Sequence, residues 1–247
     1  MTDKPKKRWW NKISKVGAWT NVVLGGLLLC VGALSFAPVQ DSLQTDGEGV
    51  ELYRFGNAES GGVSLMFNVY WGTEEVYKIL DILNSHEAKA TFFIGGSWAD
   101  DNVQCLRDIA QNGHEIGNHG YFHKDQDKLS LKDNQAEIER CNRFISLAIG
   151  VEPTLFAPPS GAYNSATLSA CKALGMKTIL WSRDTIDWRD KNASLIYTRA
   201  TKNIKSGEFV LMHPMQATVD ALNDILKFYK AQSLSVITVS ENLREKG

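Results

Sequence analysis

From residue 63 onward, short runs of consecutive apolar residues alternate with stretches in which apolar residues return every three or four positions. The runs VSLMFNV (63–69), ATFFIG (90–95), EIGN (115–118), TLFA (154–157), KTILWS (177–182), EFVLMH (208–213) and SVITVS (235–240) read as strands. Between them, 74–86, 102–114, 129–150, 165–175, 194–207 and 221–232 carry helical spacing. Val76, Ile79, Leu80 and Leu83 form one such face, Ser130 is placed to cap the long 129–150 helix, and Gly113 and Gly175 close two others. Strands that are apolar without alternation are covered on both faces, which predicts a mostly parallel sheet built from β–α units. Seven such units in about 185 residues predict an α/β fold, a compact, incomplete (β/α) barrel, with an open doubly wound sheet as the alternative. In a barrel the chemistry lies at the carboxyl ends of the strands. There the sequence places Asn68 and Val69, His119 and His123, Ala157 to Gly161, Arg183 to Trp188, and His213.

The first 62 residues follow another pattern. Residues 1–15 are basic, with Lys4, Lys6, Lys7, Arg8, Lys12 and Lys15. Residues 16–39 are apolar and uncharged, and roughly 20 such residues suffice to cross a bilayer. The expectation is a cytoplasmic basic segment, a transmembrane signal anchor over 16–39, a polar linker over 40–62, and an outward-facing domain over 63–247. A signal peptide cleaved near Ala37, giving a secreted protein, is the alternative. Six basic groups against one acid in the first 20 residues leave a formal charge of −6 on the remainder, out of −1 in total. An acidic outer domain argues against nucleic acid as a partner. Cys105, Cys141 and Cys171 show no metal-type spacing. They are expected as buried thiols, with a Cys105–Cys141 disulfide as the alternative.

The candidate chemistry begins with HEIGNHGYFHKD (114–125). On a helical turn, His119 and His123 share one face and can grip a borderline divalent ion such as zinc. A catalytic ion needs a third ligand, usually a carboxylate, and an open position for water. Asp125 is the nearest candidate, as ligand or as base. Trp71, Tyr121 and Trp188 offer rings suited to the apolar faces of sugars, and Pro159 lies in the loop facing them.

With ATFFIGG, GHEIGNH, the His-x-x-x-His pair, FAPPSGAYN, DTIDW and VLMH in this order, residues 63 to 243 resemble the NodB-homology polysaccharide deacetylases, carbohydrate esterase family four. The resemblance implies a deformed NodB-type (β/α) barrel that removes acetyl groups from N-acetylated glycan. It implies an ion held by Asp-His-His, a base aspartate, and a histidine acid. Carried over, it makes His119 and His123 the metal histidines, His213 the acid, and Asp184 the aspartate that orients it. Asp187 would fix a loop.

Asn68 stands where the family has its base, and Val69 where it has its metal aspartate. Ala157 replaces the arginine that partners the base. Losing base and arginine together avoids stranding one buried charge. The expected function is a metal-dependent deacetylase of N-acetylated polysaccharide, peptidoglycan above all, at the outer face of the membrane. A catalytically impaired glycan-binding relative, or a surface scaffold for a partner protein, are the alternatives.

Overall fold

The structure is a computed structural model, described here over residues 52–244. Nine strands form one sheet: β1 (Leu52–Tyr53), β2 (Gly62–Val69), β3 (Thr91–Ile94), β4 (Glu115–Asn118), β5 (Leu155–Phe156), β6 (Lys177–Ile179), β7 (Arg183–Asp184), β8 (Phe209–Met212) and β9 (Ser235–Val236). The order is β1-β6-β5-β4-β3-β2-β8-β7, with β9 also on β2, and every strand pair is parallel. β1 and β7 are the two ends of that path. The helices are α1 (Thr73–Ser85), α2 (Gly96–Asp101), α3 (Val103–Gln111), α4 (Leu131–Ile149), α5 (Ser165–Ala173), α6 (Asp187–Asp190), α7 (Ala193–Thr201), α8 (Gln216–Ala231) and α9 (Val239–Asn242).

β2 shows why the sheet curls. All eight of its residues are buried, and their side chains alternate between two cores. Val63, Leu65, Phe67 and Val69 join the layer beneath the helices, with Ile79, Leu106, Ile145, Ile225 and Tyr229. Met66 joins Phe93, Leu155, Ala157, Ile179 and Phe209 in a second cluster, which holds only Val239 from any helix. One sheet face thus carries the long helices, while the other closes on itself. That is a curled, incomplete (β/α) barrel and rules out the doubly wound alternative. α9 stoppers the amino-terminal end: Val239 N–H donates to Thr91 Oγ1 at 2.8 Å, and Asn242 Nδ2 to Ser64 Oγ at 3.0 Å.

Ser130 caps α4 as expected, accepting from Asp133 N at 3.2 Å. Two boundaries differ from expectation. The linker was expected to run to residue 62, yet Leu52 and Tyr53 pair with Thr178 and Ile179, and Phe55 bridges Glu208. Leu52 is buried with Leu168 and Leu180, so the folded domain begins at least eleven residues before 63. The last strand stops at Val236, because Thr238 caps α9 through a reciprocal box with Glu241. Cys105, Cys141 and Cys171 are all buried and free, so the disulfide alternative is excluded. The expected basic segment, anchor 16–39 and start of the linker lie outside the described residues. Among the described residues no helix is long and apolar enough to cross a membrane.

Candidate active site

The loops after β2, β4, β5, β7 and β8 bring the expected site residues to one end of the barrel. Gly72 allows this convergence. It adopts φ +75°, and a Cβ there would lie 2.3 Å from the carbonyl oxygen of Pro214. The close approach lays Trp71 parallel to the ring of His213, with centroids 5.6 Å apart and planes 4° apart. Trp71 Nε1 is held by Met215 Sδ at 3.2 Å. Tyr70 stacks on His123 at 3.6 Å.

His213 is anchored by Asp187, not by Asp184. The Asp187 carboxylate is fully buried. Its Oδ1 accepts from His213 Nδ1 and Trp188 N, both at 2.8 Å, and its Oδ2 from His213 N and Thr218 Oγ1, both at 2.6 Å. With Nδ1 fixed as donor, Nε2 is the nitrogen left to carry a proton to or from a bound group. The Asp184 carboxylate instead accepts from Ile186 N at 2.7 Å, and burial raises its pKa. Ile186 decides between the two. It sits at φ 53°, ψ 32°, a left-handed conformation rare for a β-branched residue, and this starts α6 with Asp187 under His213.

On the other side, His119 is 1% exposed and its Nδ1 donates to the Ala157 carbonyl at 2.7 Å, leaving Nε2 free. Burial, then the nearby His123, push its pKa down to about 3. Burial also lowers His123, whose backbone is left-handed at φ 53°. Both rings are therefore neutral, the form that binds metal, with centroids 5.0 Å apart.

Among the described residues no third ligand joins them. Asp125 points to Lys128, at 2.5 Å from its Nζ, and that pairing lowers its pKa. Val69 packs into the core beneath the helices. Among the described residues, no three His, Cys, Asp or Glu side chains converge on a possible metal position. A two-imidazole donor set does not fit the Asp-His-His centre that the resemblance implied.

Asn68 is 2% exposed, and its Oδ1 is buried without a hydrogen-bond partner. Ala157 is fully buried, in the cluster with Met66, Phe93 and Phe209.

Of the expected sugar-binding residues, Trp188 is 49% exposed and Trp71 is partly exposed. Pro159 is buried behind the loop, and Tyr121 is occupied, its hydroxyl on Asp100 Oδ2 at 3.2 Å and its ring filling the space above Gly96. Neither serves as a free platform. Sequence reasoning missed Thr218 and gave Asp187 a lesser role; the two aspartates of DTIDW differ in sequence only by position.

A polysaccharide deacetylase family profile matches residues 56–179. Against Bacillus subtilis YlxY, an uncharacterised protein, the chain is 37% identical over 212 residues, 86% of this chain and 66% of that one. Against the peptidoglycan-N-acetylglucosamine deacetylase of Bacillus cereus it is 36% identical over 175 residues, 68% of this chain and 82% of that enzyme. The crystal structure of BA3943, a pseudoenzyme of carbohydrate esterase family four from Bacillus anthracis, superposes with a TM-score of 0.77 at 34% identity, covering 80% of this chain and 70% of that one. A mutant of that protein has restored enzymatic activity. The chain belongs to the polysaccharide deacetylases of carbohydrate esterase family four.

Proposed function

We propose that this protein binds N-acetylated wall glycan, peptidoglycan above all, at the outer face of the membrane, with a deacetylase site too incomplete for efficient turnover. One observation carries the reading: among the described residues, the two neutral imidazoles, His119 and His123, have no carboxylate to complete a metal centre. The replacement of base and arginine by Asn68 and Ala157 supports it. Relatives named for acting on peptidoglycan support the substrate class. The exposed ring of Trp188 and the groove wall of Tyr70 and Trp71 suit a sugar chain. The basic and apolar pattern of residues 1–39 supports an anchor with the domain outside.

The test is made on the 247-residue chain in detergent. Sedimentation with purified peptidoglycan should retain it. Dialysis against micromolar zinc should leave well under one equivalent bound, and acetate release should match the buffer blank. Replacing Asn68 and Val69 together by aspartate should raise both zinc retention and acetate release. One tightly held ion per wild-type chain, with metal-dependent acetate release, would overturn the reading.

A second reading, a slow zinc-dependent deacetylase, is favoured by the intact Asp187–His213 pair. On that reading His213→Ala abolishes a measurable rate. Absence of the base alone would slow such an enzyme by about 10²–10⁴.

A further inference from the structure

Beside His123, the loop after β4 and the first turns of α4 enclose a cavity of about 310 Å³. Its wall holds Phe122, which is 49% exposed, between two cations. Lys124 Nζ lies 5.4 Å from the ring centre, and the Arg140 guanidinium carbon 5.2 Å. Arg140 also lies 5.3 Å from the Tyr121 ring. Neither cation makes an ion pair among the described residues. The two acids of the same wall are already engaged. Glu137 is buried and accepts from Phe122 N, and Asp133 accepts from the Ser130 hydroxyl at 2.6 Å. The neighbouring ammonium, Lys128, is held by Asp125. The wall therefore offers a half-exposed aromatic ring with two cations held over it, both with donors to spare. A neutral N-acetyl sugar needs only the ring, whereas a sugar bearing a carboxylate uses all three.

We propose that Phe122, Lys124 and Arg140 form a subsite selecting carboxylate-bearing wall glycan over neutral N-acetylglucosamine chains. The inference rests on the glycan-binding reading above and narrows it. The carboxylate has two possible sources: the lactyl group of an N-acetylmuramyl residue, free once the peptide is removed, or the stem peptide when the lactyl group is amide-linked. Because the wall carries as many acids as cations, selection works through local hydrogen bonds rather than a long-range field.

Binding of the 247-residue chain is measured for chitotetraose, peptide-free peptidoglycan strands, and muropeptides with intact stems. Arg140→Gln and Lys124→Gln alter exposed side chains, so folding is preserved, and far-ultraviolet circular dichroism checks it. Each variant should weaken a carboxylate-bearing ligand by about fivefold, and the two together by about tenfold or more. Chitotetraose affinity should stay within about twofold. Whichever carboxylate ligand loses affinity identifies the source.

Equal losses for chitotetraose and the carboxylate ligands, or no loss for any, would overturn the subsite while leaving glycan binding standing. Failure of the wild type to bind any of the three would overturn the glycan reading itself, and the subsite with it.

Discussion

The two sides of the groove have been treated differently. Around His213 every partner is in place: the Asp187 carboxylate receives four donors, drawn from α6, the β8 loop and α8. On the side of His119 and His123, Asn68 Oδ1 has no partner, and Asp125, two residues past His123, is paired with Lys128. A reading based on chemistry alone would take the intact half as a sign of catalysis. The hydrogen bonds give a second reason for its persistence. Asp187 joins three elements through the backbone of His213 and Trp188 and the hydroxyl of Thr218, so its loss would cost the fold whether or not a reaction occurs. No comparable set of side-chain hydrogen bonds ties down Asn68, Val69 or Ala157 among the described residues: Val69 and Ala157 lie in apolar cores, and Asn68 Oδ1 is buried without a partner.

That contrast is sharpened most by Asp187. Asp187→Ala leaves a buried imidazole, two backbone amides and a hydroxyl without their acceptor, and should destabilise the fold by about 3–5 kcal/mol. Thermal unfolding should then fall by roughly 10 °C, at about 2–4 °C per kcal/mol for a chain of this size. A fall of a degree or two would show that the carboxylate serves chemistry rather than architecture.

A smaller effect comes with acid. His114 lies away from the groove, its ring 5.1 Å from that of Phe92 and its Nε2 buried without a partner. Burial, with some repulsion from Lys89, lowers its pKa to about 4. The folded state resists a proton that the unfolded chain accepts below about 6.5, so this contribution is complete above that pH and is lost as pH falls toward 4. The loss should be about 3 kcal/mol. His114→Phe should make the stability profile shallower over that window while leaving the site untouched. His119, pushed to about 3, adds a further acid-labile contribution from the incomplete half. If His114→Phe leaves the slope unchanged, the acid sensitivity belongs to the groove.

Next in size is Asn68. An unpaired buried acceptor costs about 1–3 kcal/mol, and an apolar side chain of similar volume removes that cost. Asn68→Leu should therefore be neutral or raise the unfolding temperature slightly, where a polar residue in working order would make it harmful. A loss above about 2 kcal/mol would mean that Asn68 has a partner after all, and that this half is more complete than its hydrogen bonds indicate.

Much of this was legible in the chain. Apolar strands without alternation gave the parallel sheet, and the position of each candidate after a strand gave the groove. Resolving power failed where one residue's backbone angle redirected a chain of otherwise ordinary appearance. Ile186 in a left-handed conformation selects Asp187 over Asp184, and nothing in Asp-Thr-Ile-Asp announces that choice. Leu52 and Tyr53 looked like linker because a two-residue strand carries no periodicity; their membership depends on β6, some 125 residues away in sequence. Tyr121 and Phe122 were equivalent as neighbouring aromatics, and only packing separates the occupied ring from the open one.

The smallest expected effect concerns Asp125, and it can break the comparison outright. In sequence it is the first-ranked carboxylate for completing a metal centre, two residues past His123. In the structure it is exposed and held by Lys128 within the same turn. An exposed ion pair of this kind contributes little, since solvent screens it and both side chains lose freedom to form it. Asp125→Asn should leave the unfolding temperature and zinc retention unchanged. Glycan binding should change no more than the loss of one surface charge requires. A sharp fall in zinc retention for Asp125→Asn would show that Lys128 yields this carboxylate when an ion arrives. The half described as lacking a ligand would then carry one in reserve, and the argument for slow turnover would replace the argument for none.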